Sequence, residues 1–309
     1  MLPDGPLQQT FGVELEFVVK VLPQSEDFHF NHHTVVQQPM ANLLTAGGFA
    51  VNEIGTRGSY EKWSIERDVS IKPDQSKDDD PKLACFGVEL KSRVLPVHKK
   101  SYEEICNVVD IVNLNFQVVG NLTTGLHVHV GNGNRGFSLR CLKNLAQLVT
   151  LFEHQIHSLH PNHRIINFFC NPPSSNYNSQ GDPFHRMMQI EEIEDREAFI
   201  EHMNPDNRRF TAYNFMNLEA PRCIQTVEFR QHKGTMDPVE ILAWVDFTTG
   251  IVSYCHNIPP DQLMALILTF GVDESFSILD LLRVIGKSRL ISYYRKRLVN
   301  RQRPRLLEQ

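Results

Sequence analysis

Three short stretches of this chain place ionisable side chains two residues apart: Glu14 and Glu16 in FGVELEF, His127 and His129 in GLHVHVG, and Glu228 and Arg230 in TVEFRQ. Side chains alternate faces along an extended strand, so each pair shares a face and the apolar residues between them share the other. The same design recurs in five strand candidates. In residues 11–20, Phe11, Val13, Leu15 and Phe17 oppose Glu14 and Glu16. Near 63–71, Ile65, Val69 and Ile71 oppose Glu66, Asp68 and Ser70. Near 86–95, Val88 and Leu90 oppose Glu89, Lys91 and Arg93. In Gly125–Gly131, Leu126, Val128 and Val130 oppose the two histidines. In 226–231, Val227 and Phe229 oppose Glu228 and Arg230.

One face is apolar and suits a helical layer; the other carries carboxylates and imidazoles with a few cations. A wet sheet face would mix Thr, Ser, Lys and Glu more evenly. If the strands are neighbours, their carboxylates crowd. Like charges ~4 Å apart repel by roughly 4 kcal/mol at an effective dielectric near 20. Protonation or a bound divalent cation must compensate. The donor set is rich in oxygen and lacks thiolate, which favours Mg²⁺ or Mn²⁺ over Zn²⁺. A zinc site on the HxH pair is the alternative, although no HExxH accompanies it. No P-loop or GxGxxG stretch is present, so spacing by itself does not reveal a nucleotide site.

The elements that must position these strands are helices with readable caps. Residues 39–48 read as a short helix stopped by Gly47 and Gly48. Ser101 and Glu104 form a capping-box pattern before Ile105, Val108, Val109 and Val112. Ser138 opens a long helix that must end before Pro161. A polar loop spans 171–182, and an acidic helix is expected over 188–203. Asp237, Pro238 and Glu240 supply N-cap, N1 and N3 of a helix reaching about Cys255. Ser277 and Asp280 start another, stopped at Gly286. The expected organisation is one catalytic domain over residues 1–286 and a basic helical tail over 287–309.

Composition excludes several classes. The 309 residues are 41% hydrophobic and 22% charged with a net charge of -5, which gives no electrostatic pull towards nucleic acid or an anionic membrane. No apolar run approaches a bilayer span, and the start has no signal-peptide pattern. Six widely spaced cysteines form neither a zinc knuckle nor a disulfide framework. A soluble, cytoplasmic protein is the expectation.

The ordered set FGVELEF, FGVELKS, TGLHVHVG and TVEFRQHKGTMD resembles the amidoligase family, carboxylate–amine ligases related to glutamine synthetase and glutamate–cysteine ligase. The resemblance runs from about residue 11 to 254. It implies an α+β fold: a curved, mostly antiparallel sheet with a concave active-site face and helices on the convex face. It implies ATP and Mg²⁺ (or Mn²⁺), an acid activated as an acyl phosphate, and an amine that displaces phosphate. The substrates would be small-molecule or peptide carboxylates and amines. By the same resemblance Glu14, Glu16, Glu89, His127 and Glu228 are metal ligands, with Glu14, Glu228 and Arg230 catalytic. Arg230 and His129 would face the nucleotide, His129 as a support or a ligand. Tyr213, Asn214 and Arg164 would lie near the substrate, with Asp68, Lys91 and Arg93 as further substrate candidates. One departure is the order Glu89, Lys91, Ser92, Arg93, where the family often has Ser-Pro after the glutamate; Lys91 and Arg93 either bind a more anionic substrate or balance Glu66 and Asp68. A metal-dependent hydrolase of an amide or phosphoester, or a non-catalytic nucleotide binder, are the competing functions.

Overall fold

The computed structural model describes residues 5–22, 31–56, 58–72, 83–165, 167–176, 182–205, 209–219, 224–271 and 273–302. The charged stretch 74–82, for which the sequence DQSKDDDPK predicts an exposed turn, Cys223 and the end of the basic tail lie outside the described residues. The described chain is α+β. Its strands are β1 (Thr10–Val21), β2 (Ser64–Arg67), β3 (Ala84–Lys91), β4 (Leu95–Pro96), β5 (Gln117–Val119), β6 (Gly125–Gly131), β7 (Tyr213–Asn214) and β8 (Thr226–Lys233). They form an open antiparallel sheet of order β2-β3-β1-β6-β8-β7, with β4 and β5 pairing β1. The chain divides into two compact units. One holds Thr10–His129 and His232–Leu242; the other holds Met1–Gln9, Val130–Gln231 and Ala243–Gln309.

In the first, strand-rich unit, β1 is the axis. It pairs β3 from Glu14↔Lys91 to Val21↔Ala84, β4 at Thr10 and Phe11, and β5 at Val18 to Lys20. The apolar residues of the alternating pattern are all buried at Phe11, Val13, Leu15, Phe17, Val88, Leu90, Leu126 and Val128. The helix Lys99–Asn115 buries its stripe of Ile105, Val108, Val109 and Val112, and its Tyr102 ring lies 5.8 Å from that of Phe11. The helix Gln38–Ala46 buries Met40 and Leu44 and ends at Gly47, after which Gly48 adopts a φ of 88° that suits glycine.

Three local expectations change. The cap of Lys99–Asn115 is His98, whose side chain accepts from the Lys100 N–H at 3.2 Å. Ser101 lies inside the helix, and Glu104 serves other partners. The second strand stops at Arg67, because the Asp68 carboxylate accepts the Ser70 N–H at 2.7 Å and turns the chain. Val69 is consequently 81% exposed instead of sharing a face with buried Ile65 and Ile71. The third strand splits at Ser92, whose N–H donates to Val13 O and whose hydroxyl accepts the Val13 N–H, before pairing resumes at Leu95.

The second, helix-rich unit carries β7 and most of β8. Phe229 of β8 packs its ring against Tyr213 at 5.6 Å and Trp244 at 6.5 Å, and Trp244 stacks on Phe247 at 5.1 Å. Both aromatics of that stack lie on the helix Pro238–Asn257. Ser138 caps Leu139–Leu151 by accepting the Cys141 N–H, as its sequence position predicts, although the helix breaks at Phe152 before a short turn to His157. The acidic helix is two, Pro183–Glu192 and Arg196–Met203, because Asp182 and Asp195 each supply an N-cap. The Ser277/Asp280 capping box opens Ile278–Val284, and Gly286 follows at φ 71°. The helix Pro260–Phe270, absent from the sequence reading, precedes it. The basic segment packs within this unit: Lys287 Nζ and Arg289 Nε each lie 2.7 Å from the buried Asp246 carboxylate. Among the described residues no helix is long and apolar enough to cross a membrane.

Candidate active site

The strand-rich unit sets its polar face by register. Glu16 of β1 stands directly opposite Glu89 of β3, and Glu89 stands directly opposite Glu66 of β2. Three carboxylates therefore form one row across three adjacent strands. Like charges in directly opposed positions destabilise a sheet. The next row sets Glu14 opposite Lys91. Lys91 Nζ reaches back to the row and lies 2.9 Å from both Glu66 Oε2 and Glu89 Oε2. From β6, His127 Nδ1 approaches Glu14 Oε2 at 3.2 Å, and its Nε2 lies 3.5 Å from Glu16 Oε1. His129 Nε2 lies 3.3 Å from Glu14 Oε1. The other Glu16 oxygen accepts the Gly125 N–H at 2.6 Å.

Burial sharpens this crowding. Burial and the nearby Glu14 charge push Glu89 well above the ordinary carboxylate range, against the pull of Lys91. Glu14 moves the other way: burial would raise it, but His129 and His127 hold it well below its ordinary value. The Lys91 ammonium is raised despite burial, because Glu89 and Glu14 stabilise its charge. Within this unit two ligand sets bring their donor atoms within 4.8 Å of one another: Glu14, Glu89 and His127, and Glu16, Asp68 and Glu89. These donors are five carboxylates or imidazoles without a thiolate, which fits a hard divalent cation. A cation here would offset the charge that pushes Glu89 up.

The helix-rich unit assembles a second set. Register places Asn214 of β7 opposite Glu228 of β8 and Tyr213 opposite Phe229. The Asn214 amide donates to Glu228 Oε2 at 2.7 Å and the Asn217 amide donates to the same oxygen at 3.4 Å. The Arg230 guanidinium donates to Glu228 Oε1, and its Nε donates to the Phe169 carbonyl at 3.2 Å. Glu228 and Arg230 are both buried. A carboxylate and a guanidinium two residues apart on one strand face are thus fixed by amides and a carbonyl.

Glu14, Glu16, Glu89, His127, His129, Asp68 and Lys91 therefore meet in one unit, and Glu228, Arg230 and Asn214 in the other. Three candidates stand elsewhere. Tyr213 lies on the apolar side of its strand against Phe229, where burial raises its hydroxyl well above the ordinary value. Arg164 is buried and donates to the main-chain carbonyls of Arg230 at 2.6 Å and Gln231 at 3.3 Å, so it braces β8. Arg93 forms a two-pronged pair with Glu104, at 2.9 and 2.6 Å, and Glu104 also accepts the Trp63 indole N–H at 3.0 Å. Once the strand kinks at Ser92, Arg93 leaves the face predicted by strict alternation. Sequence reasoning left Glu66 and Asn217 out of the site. Glu66 was legible as a face partner; Asn217 became visible only when its 3₁₀ turn, Met216–Leu218, brought it back to Glu228.

An antiparallel α+β sheet bearing a cation-ready carboxylate–imidazole face defines the class of protein. The chain belongs to the amidoligase family: residues 7–252 match the family model described as "Putative amidoligase enzyme". No curated protein matches the chain.

Proposed function

We propose that this protein is an ATP-dependent ligase that joins a carboxylate to an amine through an acyl phosphate. The observation that carries the reading is the row Glu16–Glu89–Glu66, with Glu14 and His127 beside it. A row of this kind is an electrostatic liability unless it serves a cation. Membership of the amidoligase family supports a ligase, and ATP enters from the resemblance of the sequence motifs to carboxylate–amine ligases related to glutamine synthetase.

In this reading Glu14, Glu16, Glu89 and His127 would hold Mg²⁺ or Mn²⁺, and Glu228 would serve as a further ligand. A divalent ion bound there would supply Lewis-acid charge that neutralises nucleotide phosphates. Lys91 keeps Glu66 from adding uncompensated charge. Arg230 stabilises negative charge developing on the transferring phosphoryl group, held for that task by Glu228 and the Phe169 carbonyl. Asn214 and Asn217 fix the Glu228 carboxylate. His129 supports Glu14 from the nucleotide side. The substrate carboxylate oxygen attacks the γ-phosphorus and ADP departs; the amine nitrogen then attacks the acyl carbon and phosphate departs. Positioning and charge neutralisation account for most of phosphoryl-transfer catalysis, so a site with no covalent nucleophile suffices.

The test is ADP and phosphate release with Mg²⁺ over a panel of amino acid and small peptide acids and amines. Release that requires an acid and an amine together supports the ligase. Turnover without nucleotide, with zinc retained through purification, would instead assign a metallohydrolase.

A further inference from the structure

Phe168, Phe169 and Phe210 form an aromatic cluster in the helix-rich unit that the carboxylate chemistry does not use. Ring centroids lie 5.3 Å apart for Phe168–Phe169 and 5.5 Å apart for each pair with Phe210. Phe168 is 67% exposed and Phe169 39% exposed. Phe210 is half-buried beneath them, so two exposed rings rest on a third, and an aromatic patch of this kind left open to solvent suits a binding surface.

The backbone beneath them is fixed. The Asn171 N–H donates to Phe210 O at 3.0 Å, and the Ala212 N–H donates to Asn171 O at 2.7 Å. The Phe169 N–H donates to the Asn167 side chain at 2.8 Å. The Arg230 N–H donates to Ala212 O at 2.9 Å, while its Nε donates to Phe169 O. The rings are thus chained to the guanidinium assigned to phosphate charge. A second guanidinium, that of Arg209, lies 5.6 Å from the Phe210 centroid.

A rigid aromatic surface flanked by two cations favours a ligand with a flat ring and an anionic tail. An apolar protein surface would gain from the rings but would have to cover Arg209. We infer that Phe168, Phe169 and Phe210 are the platform on which the purine of ATP stacks, with the triphosphate directed towards Arg209 and Arg230. This inference rests on the ATP-dependent reading above and adds where the base is held.

Calorimetric titration of the full chain, without acid or amine, separates the two ideas. The probes are Mg·ATP and Mg·tripolyphosphate, and the variants are Phe168→Leu and Phe168→Tyr. Base–aromatic stacking of ordinary strength predicts roughly ten-fold weaker ATP binding for Phe168→Leu. Tripolyphosphate binding should be unchanged, and Phe168→Tyr should bind ATP like the parent. Parent protein that binds ATP with no loss in Phe168→Leu overturns the platform while leaving the ligase reading intact. Equal loss for both probes also overturns it. Failure of the parent to bind ATP at all removes the nucleotide reading itself.

Discussion

Asp246 and Glu89 are both acidic groups held largely out of water, and their surroundings treat them in opposite ways. Asp246 receives Lys287 and Arg289, each at hydrogen-bond distance, and these cations hold it below its ordinary value against the burial that would raise it. Glu89 stands between two other glutamates in its row with Glu14 close by, shares Lys91 with Glu66, and is pushed up. A balanced buried carboxylate is a structural fastener. An unbalanced one stores unfavourable charge until a ligand relieves it, and perturbed groups of that kind mark functional sites. The contrast separates the segment that anchors the C-terminal helices from the acidic face of the strand-rich unit, using charge balance alone.

The largest effect should come from Glu89→Gln. Mg²⁺-dependent ADP release should fall by about a thousand-fold, in line with removing a centre of transition-state charge stabilisation. Melting temperature in EDTA should stay level or rise, because a repulsive charge is gone. Severe unfolding in EDTA would mean that Glu89 is a fastener like Asp246. The reverse pattern is expected for Asp246→Ala, which should lose about 2 kcal/mol by urea unfolding, with Mg²⁺ affinity of the folded protein unchanged. That figure sits below the usual cost of breaking a buried pair because Arg289 can return to solvent.

pH should divide the two sites more finely. Asp246 has a lowered folded value, so its stabilisation is present above its ordinary value and is lost as pH falls through the folded value. Glu89 has a raised folded value, so its contribution is complete below 4.5 and is lost as pH rises through the folded value. Urea melts of the cation-free protein should show the acid-side slope flattened in Asp246→Asn and the opposite slope flattened in Glu89→Gln. Identical pH profiles for both variants would erase the distinction. The smallest effect belongs to Arg93→Gln. Its partner Glu104 keeps the Trp63 indole, and Arg93 is about one-third exposed, so the loss should be below about 1 kcal/mol. Substrate KM should not move; a large increase would return Arg93 to the substrate site.

Much of this site was written in local pattern. The period-two alternation of FGVELEF, GLHVHVG and TVEFRQ fixed which side chains share a face, because a pleated strand leaves no other choice; it did not reveal that Glu16, His127, Glu228 and Arg230 on the polar face are buried as well. The Ser138 and Ser277 caps were legible for the same reason: the interactions span only three residues. Errors arose where a distant partner outweighed local preference. Ser101 and Glu104 have the spelling of a capping box, yet Glu104 is drawn to Arg93 and Trp63. Arg93 has the parity of Lys91, yet hydrogen bonding between Ser92 and Val13 kinks the strand and turns it aside. Tyr213 adjoins Asn214 in sequence and falls on the opposite face.

The sequence by itself determined the chemistry available: oxygen and imidazole donors at alternating positions, and an arginine two residues from its glutamate. Tertiary structure alone decided which donors stand side by side. Register is a property of paired strands, and no single strand encodes that Glu16, Glu89 and Glu66 fall in one row. Charge repulsion depends on that separation, so the row, more than any motif, makes this a face that could hold a cation.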